Sequence, residues 1–242
     1  MQQTDPEPGH PVGRCNQQRP EHGERRPSDQ LRMKRPFHLR HETHVTLRAM
    51  ARADTRKQTL DAAERLFFSD GIAVTSVDAV AREAGVSVVT LYKHFGSKDG
   101  LIGAVLSRRL EAWDGAWQTQ IDATEDQRGK VLAIFDAVTA FRAKAGPAQW
   151  CCFLATASER PIADDVPAQL VSRDNALLQE RLRRYAEAAD PERSDEIVAT
   201  VTLVYNGVLS SLLRGTPEDP ASLGRRTVAT ALGWQDLTTS GS

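Results

Sequence analysis

The chain has 242 residues, 40% of them apolar and 26% charged, with a formal net charge of −1 and a pI near 6.6. That length supports one or two domains with a real buried core, and the balanced charge excludes a molecule drawn to nucleic acid by a global basic field. Arg and Lys number nine against six Asp and Glu over residues 1–50, eight against seven over 51–108 and fourteen against nineteen beyond, so the excess acid lies C-terminally.

Residues 1–50 hold six of the twelve prolines and five of the six histidines, with few large apolar side chains and no sustained periodicity. They are expected to form a disordered leader. No apolar segment followed by small residues gives it the form of a signal peptide. His38, His41 and His44 have helical spacing but lack the cysteine or carboxylate cluster that would complete a shell, so no metal is expected. Met50 stands directly before ARADTRKQTLDAAERLF, where order is expected to begin, and is a candidate alternative start.

Three cysteines, Cys15, Cys151 and Cys152, are an odd number without metal-ligand spacing, and the adjacent pair is poorly placed for an ordinary disulfide. A cytoplasmic, reducing setting is expected. The pair reads as small hydrophobes, the alternative being an oxidant sensor.

Beyond the leader, Leu60, Ala63, Leu66 and Phe67 recur at three and four residues and predict an amphipathic helix over 55–69, closed by Asp70-Gly71. Ser76 can cap a second, short helix with Val77, Val80, Ala81 and Ala84 inward, ended by Gly85. Ser87 can cap a third containing Leu91, Tyr92 and Phe95, and Ser97 a fourth with Leu101, Ile102, Val105, Leu106 and Leu110 inward, running on towards Trp117. Val131, Leu132, Phe135, Val138 and Phe141 mark a helix stopped by Gly146-Pro147, and a short segment spans Trp150 to Ser158. A longer helix carries Leu170, Leu177, Leu178, Leu182 and Tyr185. Asp190-Pro191 and Asp219-Pro220 each open a further helix with a cap and a proline at its first position. No stretch alternates with period two, so the fold class is all-α, a bundle of about nine helices. The uncharged run Ile197 to Leu213 falls short of a bilayer-spanning apolar length and predicts a buried helix, so no membrane partner is expected.

The sharpest feature is T75-S-V-D-A-V-A-R-E-A-G-V-S-V-V-T-L-Y-K-H-F-G-S-K98, two short helices across a Gly-Val-Ser turn in helix-turn-helix spacing. Through Ser76, Ala81, Gly85, Thr90, Leu91, Tyr92, Phe95, Ser97 and Lys98 it resembles the TetR family of transcriptional regulators, closely over residues 55–106 and by helix pattern alone over 107–235. The resemblance implies a helix-turn-helix DNA-binding domain over 51–106, an effector-binding and dimerisation bundle over 107–235, and a flexible tail over 236–242. It implies backbone contacts to DNA from Ser76, Tyr92, His94 and Lys98, and base-edge contacts from Asp78, Val88, Val89 and Lys93. Ser87 and Thr90 complete the helix start that approaches the groove. Many members have a basic residue where Asp78 stands and basic or small ones at Val88 and Val89, so readout here is less polar, with valine available to a thymine methyl. Core packing is the alternative for Tyr92 and Phe95, and Arg52, Arg56 and Lys57 are placed to act as an arm or as a solvated helix start.

In the C-terminal part, Trp113, Trp117, Phe135, Phe141, Trp150, Phe153 and Tyr185 are candidates to line an effector pocket, ordinary bundle core being the alternative. Val201, Tyr205, Val208, Leu209 and Leu212 are the candidate dimer interface, because the helix carrying them is apolar nearly all round. The expected function is a ligand-responsive repressor binding a palindromic operator as a homodimer, with an unknown small-molecule effector, no cofactor and no catalytic site. Two rivals are a constitutive DNA-binding or architectural protein without ligand, and an enzyme tethered to DNA. For the latter no nucleophile, base and orienting group come together in the sequence.

Overall fold

The computed structural model describes residues 39–145, 152–160 and 165–234. Cys15, His38, Trp150, Cys151 and the 236–242 tail lie outside them. The chain partitions at Thr43 into two units. The first contributes to the described residues only the opening residues of a helix, and all that follows concerns the second.

The described residues hold nine α-helices and no strand: α1 (Leu39–Ser69), α2 (Val77–Glu83), α3 (Val88–Phe95), α4 (Lys98–Asp122), α5 (Gln127–Ala145), α6 (Cys152–Glu159), α7 (Val166–Ala189), α8 (Ser194–Arg214) and α9 (Pro220–Ala231), with a single 3-10 turn over Pro191–Arg193 before α8. The all-α expectation is met. The first helix starts earlier than the expected residue 55 and overruns the end of the leader at 50. Pro36 is the last strong helix breaker, and the residues from Leu39 to Asp54 contain neither Gly nor Pro, so nothing local stops the helix. The caps fall where short polar side chains stand. The carboxylates of Asp165 and Asp219 accept the N–H groups of Ala168 at 2.9 Å and Ser222 at 3.1 Å, while Asp190 caps the 3-10 turn.

Two hydrophobic cores share α4. The first gathers Leu60, Ala63 and Phe67 of α1, Val80 and Ala81 of α2, Leu91 of α3 and Leu101, Ile102, Val105 and Leu106 of α4, with Cys152 and Phe153 of α6 beside them. The second is built on Trp113, Trp117 and Ile121 of α4, Val131, Leu132 and Phe135 of α5, Leu182 of α7, Val201 of α8 and Val228 of α9. α4 is unbroken between them, so the 106/107 boundary falls inside one helix.

The structure corrects the reading of α8. By length and composition Pro191–Arg214 is apolar enough to cross a bilayer, a test that a core helix also passes. In the fold it packs against α5, α7 and α9 instead. Val201, Val208 and Leu209, expected at the dimer interface, are buried in the subunit itself, Leu209 only 7% exposed. Tyr205 and Leu212 line an internal cavity. The outward face carries Leu203, 75% exposed, with Asn206 and Gly207. Helical period explains the error: an all-round apolar helix has two apolar faces, and composition alone does not say which one its own bundle covers.

α9 is seated on α8 through Gly224. A Cβ there would stand 2.5 Å from Val208 Cγ2 and 3.0 Å from Phe135 Cε1, both in buried side chains. Gly224→Ala is therefore expected to destabilise the fold by about 1–2 kcal/mol despite alanine's better helix propensity. Urea unfolding followed by circular dichroism checks this, and an unchanged or raised midpoint would mean that the α8–α9 contact has slack.

Candidate nucleic-acid interface and internal cavity

The helix-turn-helix is held by its own polar punctuation. Ser76 Oγ accepts the Ala79 N–H at 3.1 Å, Ser87 Oγ accepts that of Thr90 at 3.0 Å, and Ser97 Oγ accepts that of Gly100 at 2.9 Å, so each of α2, α3 and α4 starts on a serine cap. α2 ends at Gly85, whose φ of +67° is a left-handed conformation that a side chain disfavours. The reversal is closed by the Val86 N–H donating to Ala81 O at 2.9 Å. Leu91 is fully buried and pins α3 to the first core.

With that face inward, the opposite face of α3 is open. Val89 is 77% exposed, Tyr92 and Lys93 are exposed, and Val88, Thr90 and His94 are half-buried. Ser76, Asp78 and Ser87 are exposed at the starts of their helices, where backbone N–H groups and the helix dipole favour anions. Tyr92 thus stands outside the core, whereas Phe95 packs on it. The guanidinium of Arg56 lies 5.3 Å from the Phe95 ring centroid, tying α1 to α3, and Lys57 pairs with Asp61 at 2.8 Å. Arg52 is exposed. Val74, also exposed, adds an apolar residue on the α1–α2 turn that periodicity could not single out.

Lys98 has a structural task as well as its place in the first turn of α4. Its Nζ donates to Ile72 O at 2.6 Å and stands 3.5 Å from Ala73 O. The Ala73 N–H donates to Glu159 Oε2 at 3.0 Å, and Arg160 bridges Asp99 and Asp165, each at 2.6 Å. The α1–α2 turn is thereby gripped by α4 and by the end of α6.

A second site lies inside the bundle. Arg109 and Trp113 of α4, Val138, Phe141 and Arg142 of α5, Cys152 and Phe153 of α6, Asp174 of α7, and Tyr205, Leu209 and Leu212 of α8 surround a cavity of about 40 Å³ that opens at its mouth. Of the expected pocket residues, Trp113, Phe141 and Phe153 are brought together here. Trp117 and Phe135 are instead fully buried in the second core, and Tyr185 packs against that core away from the cavity. The charged lining was missed, because periodicity marks apolar faces and passes over an arginine placed on one. Arg109 is 6% exposed and donates from Nη1 to Glu64 Oε1 of α1 at 3.1 Å. Glu64 also receives Arg108, which reaches Asp61 at 2.6 Å. The buried Nη1 of Arg142 has no hydrogen-bond partner. Burial pushes the Asp174 carboxyl up to about 6.

The chain matches the family described as bacterial regulatory proteins, tetR family, over residues 60–105. It is 30% identical to the HTH-type transcriptional repressor ComR of Escherichia coli K12 over 148 residues, which cover 58% of this chain and 70% of that one. It is 31% identical to the HTH-type transcriptional regulator SrpR of Pseudomonas putida over 85 residues, 35% of this chain but only 40% of that regulator's length. A TetR-family transcriptional regulator from Streptomyces coelicolor superposes with a TM-score of 0.69 at 20% identity, over 77% of this chain and 97% of the other, a likeness of fold.

Two outcomes follow from this geometry. Lys98→Met removes a charge-assisted bond to a turn and should lower stability by about 1–2 kcal/mol in urea unfolding, with no DNA present; an unchanged midpoint would leave Lys98 no structural task. Asp174 has a folded-state pKa near 6 against an ordinary 3.8, so the native state holds its proton more tightly. The stability this gives is complete below pH 3.8 and is lost as pH rises through 6. Asp174→Asn should therefore stabilise the protein at pH 7 by about 1–3 kcal/mol and flatten its stability profile over that interval. Equal slopes in the two proteins would show that the carboxyl is solvated.

Proposed function

Because the chain belongs to the TetR family, we propose that it is a DNA-binding transcriptional regulator, a ligand-responsive repressor that binds a palindromic operator as a homodimer. The observation that carries the reading is the disposition of α3: Leu91 holds one face in the core while Val89, Tyr92 and Lys93 stand clear of it. In a dimer two such helices enter successive major grooves about 34 Å apart. With no basic field, position is set by helix N-termini, Tyr92 and Lys98, and sequence by short side chains such as Val89 meeting base edges.

The dimer is formed in this reading by the outer faces of α8 and α9. Leu203 and Leu223 are exposed there, and Gly207 beside them lets a second backbone come close. The cavity favours a ligand-responsive regulator over a constitutive architectural protein, since a bundle with no sensing task has no reason to keep buried charge beside unfilled space.

Fluorescence anisotropy with the DNA upstream of the protein's own coding region tests the reading. Tyr92→Ala should weaken operator and unrelated DNA alike, whereas Val89→Ala should cost about 1 kcal/mol on the operator and little elsewhere. Identical losses on both DNAs for both variants would remove α3 from base readout. Leu203→Glu should split the dimer in sedimentation with helicity intact and reduce operator affinity steeply, because two half-sites then lose their linkage. A variant that stays dimeric places the interface elsewhere.

A further inference from the structure

We propose that the cavity takes a small aromatic carboxylate, whose negative charge competes with Glu64 for Arg109 and so loosens α1 from α4. The inference rests on the reading of the cavity as the effector site and assigns its ligand class and its switch.

The walls call for a flat apolar body. Trp113 meets Phe141 edge-on, with centroids 5.6 Å apart at 81°, and faces Tyr205 at 6.2 Å and 24°. Val138, Phe153, Leu209 and Leu212 add aliphatic and aromatic lining beside Cys152. A flat ring entering by the open mouth of this site meets these faces.

The charges call for an anion. Two guanidiniums line the space against one carboxyl. Arg142 Nη1 is buried without an acceptor, a desolvated donor that an entering carboxylate would satisfy. A cation of the same shape would face both arginines, and a neutral ring would leave Arg142 unmet.

The switch follows from the position of Arg109. Its guanidinium stands 4.7 Å from the centroid of Phe141, itself a cavity wall, and the same group donates to Glu64 at 3.1 Å. Glu64 is buried on α1, the helix against which α2 and α3 pack. A carboxylate arriving in the cavity offers Arg109 a second acceptor, so ligand and the α1–α4 contact draw on one guanidinium. Linkage then requires ligand to weaken DNA binding by the factor by which DNA weakens ligand binding.

The test uses the full chain and one ring in three charge states, each carboxylate set against an amine and an alcohol: benzoate, phenylacetate and cinnamate, then benzylamine and benzyl alcohol, titrated by calorimetry and thermal shift. At least one carboxylate is expected to bind at least tenfold more tightly than the amine and the alcohol, by about an order of magnitude for one charge-assisted bond. Arg142→Met should weaken it about 10- to 100-fold with helicity unchanged, and Arg142→Lys, which keeps the charge, should recover part of the loss. Glu64→Gln should tighten carboxylate binding and shrink its effect on DNA affinity towards none. Tighter binding of the amine, no binding of any carboxylate at millimolar concentration, or full binding by Arg142→Met overturns the ligand class. Carboxylate binding that leaves wild-type DNA affinity unchanged overturns the switch. Failure of the regulator reading is separate: the chain then binds no DNA at all, while the carboxylate titration is unaffected.

Discussion

Everything in this fold depends on α4 being one uninterrupted helix with a buried cation at its middle. Its first turns place Leu101, Ile102, Val105 and Leu106 in the core under the helix-turn-helix, and its later turns place Trp113, Trp117 and Ile121 in the core of the bundle. A helix of 25 residues is a rod of about 37 Å. Between the two cores Arg109 reaches back to Glu64. A buried ion pair of this kind adds little net stability once desolvation is counted, and Glu64 shares its charge with Arg108 as well. It is better suited to fixing geometry than to holding the fold together, and with Arg108 it ties α1 to α4.

α6 gives the same two regions a second connection. Cys152 and Phe153 belong to the first core and to the cavity wall at once, and at the other end of that short helix Glu159 accepts the Ala73 N–H while Arg160 bridges Asp99 and Asp165. The α1–α2 turn is therefore held by one charged group from α4 and one from α6. Packed interiors shift between discrete arrangements rather than yielding continuously, so a ligand that displaces Phe153 or Arg109 changes a grip and not merely a pressure.

The helix-turn-helix was legible because its signals are local. Serine caps three residues before the N–H they accept, a glycine at a left-handed position and a buried leucine at the centre of α3 follow from chain-neighbour chemistry, and the structure has each of them at the expected residue. What the sequence hid is non-local. Lys98 turning to Ile72, Arg109 reaching Glu64 and Arg160 spanning two helices are pairings between residues far apart in the chain, for which no spacing rule exists. The aromatic residues divided for the same reason. Trp113 and Trp117 stand one helical turn apart on α4, yet only Trp113 borders the cavity, because the neighbours contributed by α5 and α8 decide which turn is filled. α8 shows the limit most clearly: its pattern says that two faces want cover, and only the packing of α7 and α9 reveals that Leu209 is inside and Leu203 outside.

In the proposed regulator, the weak charge of the face that carries α3 would give the arrangement its sensitivity. Arg65 is paired with Glu83 and Lys57 with Asp61, so much of the positive charge around the helix-turn-helix is already spent within the protein. In the proposed dimer each half-site would contribute little sequence-independent affinity, and occupancy would come chiefly from two recognition helices engaging together. Under that condition the angle between α1 and α4 matters more than the strength of any single contact. In the proposed switch, a tilt of α4 at the Arg109–Glu64 pair would displace α3 and cost the second half-site before it much weakened the first. A strongly basic surface would hold DNA nonspecifically through such a change, whereas a near-neutral one lets go, which is the property a ligand-controlled regulator requires.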